Sequence, residues 1–182
     1  MKKVLFFLYE KSAEFEIAVL ATALNGQADV VTCTLTREPI TSVGGMKMVG
    51  HLTVDEVNPQ DFDALVIPGG VCHPLLGEQE LLEMIRGFHA QGKVIGAICA
   101  GPSFLAAAGV LDGVKFATSL EKHNLEYLDV ISWDNVQPER VYTDGNIVTA
   151  TGSSYVDFAE AVLRALGVED HDVEYFRTPS MQ

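Results

Sequence analysis

The segment Val94-Ile95-Gly96-Ala97-Ile98-Cys99-Ala100-Gly101-Pro102 is an apolar run that ends on a cysteine set between small residues. These types predict a strand that stops, turns sharply at Cys99 and starts a helix at Pro102. Ala97, two before the cysteine, and Gly101, two after it, suit a tight strand-to-helix elbow, because larger side chains collide across the turn. Proline fits the first helical position, where its missing N–H costs nothing. A thiol at that turn lies above the sheet edge and close to a helix N-terminus, whose partial positive charge favours thiolate over thiol. That is the setting of a nucleophile. The competing reading is packing, since free cysteine is among the most buried residue types.

Around this elbow the chain alternates short apolar runs with amphipathic ones. Val4–Tyr9 reads as a buried strand, followed by a helix from Phe15 to Leu24 that ends at Asn25-Gly26. Val30–Leu35 is a second strand, with Cys33 as a structural residue inside it. Between Glu38 and His51 the pattern breaks into Gly44-Gly45 and Gly50 with short apolar pieces, which predicts a small edge hairpin. Ala64–Ile67 is a core strand closed by Pro68-Gly69-Gly70. Leu81–Gln91 has helical spacing at Leu81, Leu82, Ile85 and Phe88 and stops at Gly92. After the strand into Cys99 comes a helix over Pro102–Ala108. Val141–Thr143 and Ile147–Ala150, joined by Asp144-Gly145, form a hairpin, and Tyr155–Leu166 is a final amphipathic helix ended by Gly167.

Such alternation implies an α/β fold with a mostly parallel sheet and helices on both faces. Ligand sites in these sheets lie beyond the carboxyl ends of the strands. Three turns fall there: the segment after Tyr9 with Glu14 and Glu16, the loop after Gly70 with Cys72 and His73, and the elbow at Cys99. Each has a plainer reading. Glu16 is also a first-turn acid favoured by the helix dipole, and Gly70 is also a turn glycine.

The totals narrow the classes. A chain of 182 residues with 48% hydrophobic and 20% charged residues suits one well-filled domain, spanning 1–182. The net charge of −13 works against nucleic acid and against anionic membrane surfaces, so neither is an expected partner. The apolar run after Met1-Lys2-Lys3 is too short for a signal peptide and far too short to span a bilayer, which makes a cytoplasmic location the expectation. Cys33, Cys72 and Cys99 are spaced unevenly, as in a reduced compartment, and no pair has metal-ligand spacing; no metal or cofactor is expected.

Ala97-Ile98-Cys99-Ala100-Gly101-Pro102, with Pro68-Gly69-Gly70 about thirty residues earlier and Ala13-Glu14-Phe15-Glu16 after the first strand, resembles the ThiJ/PfpI superfamily. The resemblance runs from Lys3 to Gly167. It implies a flavodoxin-like three-layer sandwich, related to class I glutamine amidotransferases, with a nucleophile elbow at Cys99. It makes Cys99 the nucleophilic or redox-sensitive cysteine and Glu16 the carboxylic acid that hydrogen-bonds it. Gly70 and Ala100 match the positions whose backbone N–H groups form an oxyanion or sulfinate pocket, and Gly152 matches a glycine that closes that pocket. Homodimerisation is implied as well.

The chain departs from the family pattern where many members carry histidine. Ser119 stands in the run Ala117-Thr118-Ser119-Leu120, and Ala100 follows the cysteine directly. The missing imidazole counts against peptide or amide hydrolysis. His73, in a loop expected to rim the pocket, and His123, on the face of Ser119 if that segment is helical, are the two substitutes, and surface positions are the plainer reading of both. Cys72 is a candidate second thiol that would resolve an oxidised Cys99, or else a packed loop residue. The resemblance implies glyoxalase or deglycase chemistry on small α-oxoaldehydes or their adducts. The alternatives are a non-catalytic sensor or chaperone-like protein with an oxidisable Cys99, and a C–N hydrolase.

Overall fold

The computed structural model describes residues 1–169 and 173–177. In chain order its elements are β1 (Lys2–Phe7), α1 (Phe15–Leu24), β2 (Ala28–Thr34), β3 (Ile40–Thr41), β4 (Lys47–Met48), β5 (Leu52–Thr53), β6 (Ala64–Ile67), α2 (Gln79–Ala90), β7 (Val94–Ile98), α3 (Pro102–Ala107), β8 (Val141–Asp144), β9 (Ile147–Ala150) and α4 (Tyr155–Leu166), with short 3-10 turns between them. The main sheet has the order β5-β2-β1-β6-β7-β9-β8. Its pairings are parallel except for the β8–β9 hairpin at one edge.

β1, β6, β7 and β9 are buried almost throughout, as expected for strands covered on both faces. On one face Leu5, Phe7, Leu65, Ile67, Ile95 and Ala97 pack with α2 and α3 through Leu81, Ile85, Phe88 and Phe104. On the other, Val4, Phe6, Val66, Ile98 and Val148 pack with α1 and α4 through Leu20, Leu24, Phe158 and Val162. Successive strand residues alternate between these two cores, so one parallel strand supplies both layers. This is the α/β sheet with helices on both faces that the periodicity implies, and the flavodoxin-like sandwich that the family resemblance implies.

Several details differ from the sequence reading: β1 runs Lys2–Phe7 and not Val4–Tyr9, β2 starts at Ala28 and ends at Thr34, α2 starts at Gln79 and ends at Ala90, and β8 extends to Asp144. The hairpin between Glu38 and His51 exists as β3 and β4, but it forms its own two-stranded sheet instead of extending the main one. The outer position is taken by β5, whose Leu52 and Thr53 pair in parallel with Cys33 and Thr34. Two residues carry no periodicity, so β5 leaves no signal in the pattern. α3 stops at Ala107, one residue earlier than expected. Among the described residues no helix is long and apolar enough to cross a membrane.

Candidate active site

β7 ends at Ile98, and Cys99 takes φ +63°, left-handed backbone for a residue with a Cβ. Such a conformation costs about 1–2 kcal/mol and persists only where neighbours impose it. The neighbours are on both sides of the residue. The Cys99 N–H donates to the Ala150 carbonyl at 2.8 Å, extending the β7–β9 ladder, while its carbonyl accepts from Thr118 Oγ1 at 2.6 Å and from the Ser119 N–H at 3.1 Å. A Cβ placed on Gly101 would stand 2.7 Å from the Ile67 carbonyl oxygen, so the small residue after the elbow is a steric requirement.

Glu16 reaches this elbow from the first turn of α1. It shares the buried face with Leu20, Ala23 and Leu24, and is itself only 2% exposed. Its carboxylate accepts the Gly69 N–H at 2.6 Å and is hydrogen-bonded to the Cys99 thiol. Gly152 closes the opposite side: a Cβ there would lie 2.8 Å from Glu16 Oε1 and 3.0 Å from Cys99 Sγ. Gly69 is equally tight, its hypothetical Cβ standing 2.5 Å from the Cys99 Cβ. Thiol and carboxyl are therefore held against each other between two glycines.

Burial pushes the Glu16 carboxyl above the usual carboxylate range, partly offset by its bonds from Cys99 and Gly69. Burial, and then the adjacent Glu16 charge, pushes the Cys99 thiol up to about 11; the Ser119 hydroxyl and the Ala100 N–H pull it the other way. The expected pull of the helix N-terminus toward thiolate is thus opposed by burial and by the Glu16 carboxylate. The two groups are coupled through their hydrogen bond. When it sits on sulfur, Glu16 is a base; when it sits on Glu16, the neutral carboxyl donates to a thiolate.

The remaining expected residues separate into those inside the site and those outside. The Ala100 N–H is directed at the Cys99 sulfur. No hydrogen bond among the described residues uses the Gly70 N–H, and Gly70 has φ +120°, which favours glycine. Ser119 occupies the place of the missing histidine: its Oγ accepts the Gly152 N–H at 2.8 Å and bonds the Cys99 sulfur. His123 lies outside. Residues 121–124 form a turn, not a helix, closed by Asn124 bonds to Glu121, and the His123 ring stands exposed, 3.3 Å from Glu121. His73 is exposed in a 3-10 turn with its ring edge-on to Tyr127, and no hydrogen bond among the described residues joins it to Cys99 or Glu16. Cys72 is fully buried and bonded to Tyr9, as in the packed-loop reading, and burial pushes its thiol up to about 12.

The sequence reading did not single out Gly69, Thr118 or Tyr9. Pro-Gly-Gly marks the turn, but which of its amides faces Glu16 depends on backbone rotation and leaves no mark in residue type. Among the described residues no group of three or more His, Cys, Asp and Glu side chains is placed to hold a metal ion.

A parallel three-layer sandwich whose strained cysteine elbow meets a buried carboxyl defines a class of elbow-cysteine proteins. The chain belongs to the DJ-1/PfpI family, which matches residues 2–165. It is 31% identical over 151 residues to the deglycase PH1704 of Pyrococcus horikoshii, covering 81% of this chain and 89% of that one. It is also 31% identical over 170 residues to the uncharacterized protease YdeA of Bacillus subtilis, covering 91% and 84%. The crystal structure of the DJ-1 superfamily protein Atu0886 from Agrobacterium tumefaciens superposes with a TM-score of 0.85 at 30% identity, covering 97% of this chain and 95% of that one.

Proposed function

We propose that this protein is a cysteine-dependent enzyme that converts small α-oxoaldehydes, or their adducts on amines and thiols, to 2-hydroxy acids. The observation that carries the reading is the hydrogen bond between Cys99 and the buried Glu16 at a strained elbow. With methylglyoxal the Cys99 sulfur adds to the aldehyde carbon, and the thiol proton passes through Glu16 to the aldehyde oxygen, giving a hemithioacetal. Glu16 then removes the hydrogen on that carbon and returns a proton to the neighbouring carbon, while the hydroxyl proton passes from the first oxygen to the second. The first carbon becomes a thioester carbonyl and the second an alcohol, with no net change in atoms. Water cleaves the thioester, its hydrogen returns to sulfur, and lactate leaves. In this reading the Gly70 N–H, without a partner among the described residues, and the Ala100 N–H beside the Cys99 sulfur are the donors for negative charge that develops on oxygen. Purified protein supplied with methylglyoxal is expected to release lactate, with Cys99→Ala inactive; equal activity in Cys99→Ala removes the proposal.

The same donors around the Cys99 sulfur favour a second reading, in which peroxide adds two oxygens to Cys99 and the resulting sulfinate is held by Ser119 and Ala100. Intact mass after mild peroxide separates the two: a gain of two oxygens confined to Cys99, without lactate formation, selects the sensor. A C–N hydrolase is the weaker reading, because neither His73 nor His123 joins the pair. We further propose a cytoplasmic homodimer acting on a small carbonyl substrate, with sedimentation as the test of its assembly.

A further inference from the structure

The geometry points to Tyr9 as a positioning residue whose hydroxyl locks the Pro68-Gly69-Gly70 loop with two consecutive N–H groups turned toward the Cys99–Glu16 pair. The inference rests on the pair as the reactive site, though not on which substrate it takes. The Tyr9 Oη lies 3.0 Å from the Pro68 carbonyl oxygen and 2.6 Å from the Gly69 carbonyl oxygen. The Gly69 oxygen also accepts the Ala13 N–H at 2.9 Å. Both peptide units are trans, and in a planar trans peptide the C=O and N–H point in opposite directions. Holding the Pro68 oxygen on one side sends the Gly69 N–H to the other, where it meets Glu16 Oε2 at 2.6 Å. Holding the Gly69 oxygen likewise sends out the Gly70 N–H, which has no partner among the described residues.

The phenol has a single proton, and the two carbonyls take it. Cys72 Sγ lies 3.0 Å from the same oxygen, so this buried thiol also packs against the lock, and it donates to the Gly70 carbonyl at 3.8 Å. The Tyr9 ring is fixed independently of its hydroxyl. It stacks on Phe7 with centroids 5.3 Å apart and meets Phe104 edge-on, also at 5.3 Å. Tyr9→Phe therefore keeps the ring packing and deletes the hydroxyl's bonds to Pro68, Gly69 and Cys72.

The test reads Cys99 alkylation by iodoacetamide against pH, followed by intact mass, with Cys99→Ser as the blank. Cys33 and Cys72 are fully buried and contribute little. The groups facing Glu16 are Cys99 from the elbow, Cys72 from the loop after β6 and Tyr9 from the end of β1. In Tyr9→Phe the Gly69 N–H no longer holds the carboxylate firmly, so Glu16 keeps its proton to higher pH. The midpoint that Glu16 contributes to the alkylation profile moves up by about half to one pH unit, and the Tm falls by a few degrees because the Pro68 carbonyl and Cys72 lose a buried partner. An unchanged midpoint in a folded Tyr9→Phe protein overturns the inference. If that variant does not fold, amide exchange in the parent decides: the Gly69 N–H is expected to be protected and the Gly70 N–H to exchange fast, and the reverse order overturns it. Lactate formation measured alongside separates this outcome from the fate of the proposed reaction, since the alkylation profile exists whether or not methylglyoxal is turned over.

Discussion

Gly152→Ala puts one methyl group where the pair meets. Gly152 has an ordinary φ, so alanine brings no backbone strain, and the whole effect comes from contact. The new carbon would stand 2.8 Å from Glu16 Oε1, 3.0 Å from Cys99 Sγ and 3.1 Å from the Cys99 Cβ. A carboxylate tip can usually swing aside, but here the other oxygen is tied to the Gly69 N–H at 2.6 Å and the cysteine is clamped by Ala150, Thr118 and Ser119. Overpacking of this kind costs about 1–3 kcal/mol, or roughly 3–10 °C in Tm for a chain of this size. The larger consequence is geometric. Spreading thiol and carboxyl by a few tenths of an ångström to 1 Å lowers turnover on the order of 100-fold. The assay pairs a thermal melt with lactate release from methylglyoxal and with the Cys99 alkylation rate. Gly77→Ala is the control: it is exposed, has open space around the added carbon, and should change stability by less than about 0.5 kcal/mol. A Gly152→Ala protein with parental stability, alkylation and turnover would refute the packing of the pair against Gly152.

Three further outcomes follow from the same geometry. Glu16→Gln should gain stability relative to the parent as pH rises. The folded chain holds the Glu16 proton more tightly than the unfolded chain, so the parent loses stability from the unfolded carboxyl value upward through the raised folded one, and glutamine does not; parallel melts at pH 5 and pH 8 read the difference. Ser119→Ala should slow Cys99 alkylation at fixed pH by about 2- to 10-fold, because the thiolate loses a hydroxyl donor and the thiol moves further up. The pH dependence of kcat/KM should be a bell, with its acid limb above the ordinary carboxylate range from Glu16 and its alkaline limb toward the Cys99 value of about 11; a limb near the ordinary histidine range that disappears in His73→Ala would contradict a site without imidazole.

Much of this architecture was legible in residue order. The strand–Cys99–Pro102 elbow, α1 over Phe15–Leu24, β6 over Ala64–Ile67 and α4 over Tyr155–Leu166 follow from periodicity and from proline and glycine punctuation, and they stand where expected. Glu16 carried a readable signal too: it sits on the same helical stripe as Leu20 and Leu24, where a solvated acid does not belong. What was not legible depended on through-space geometry. The two-residue strand β5 owes its place to pairing with Cys33 and Thr34 and not to its own pattern. The turn at 121–124 carries His123 away from Ser119, and no spacing rule foresees it. The helix N-terminus that favours thiolate is legible in the sequence, whereas the burial and the Glu16 carboxylate that push the thiol up depend on packing.

The central claim is that Cys99 and Glu16 act as one unit on a carbonyl carbon. Lactate formation from methylglyoxal by the parent, Cys99→Ala and Glu16→Gln, each confirmed folded by its melt, tests it most directly. The account predicts clear turnover by the parent and less than about one-hundredth of it in both variants, since each removes an indispensable partner in proton transfer. Lactate release by either variant at a rate near the parent's would contradict it.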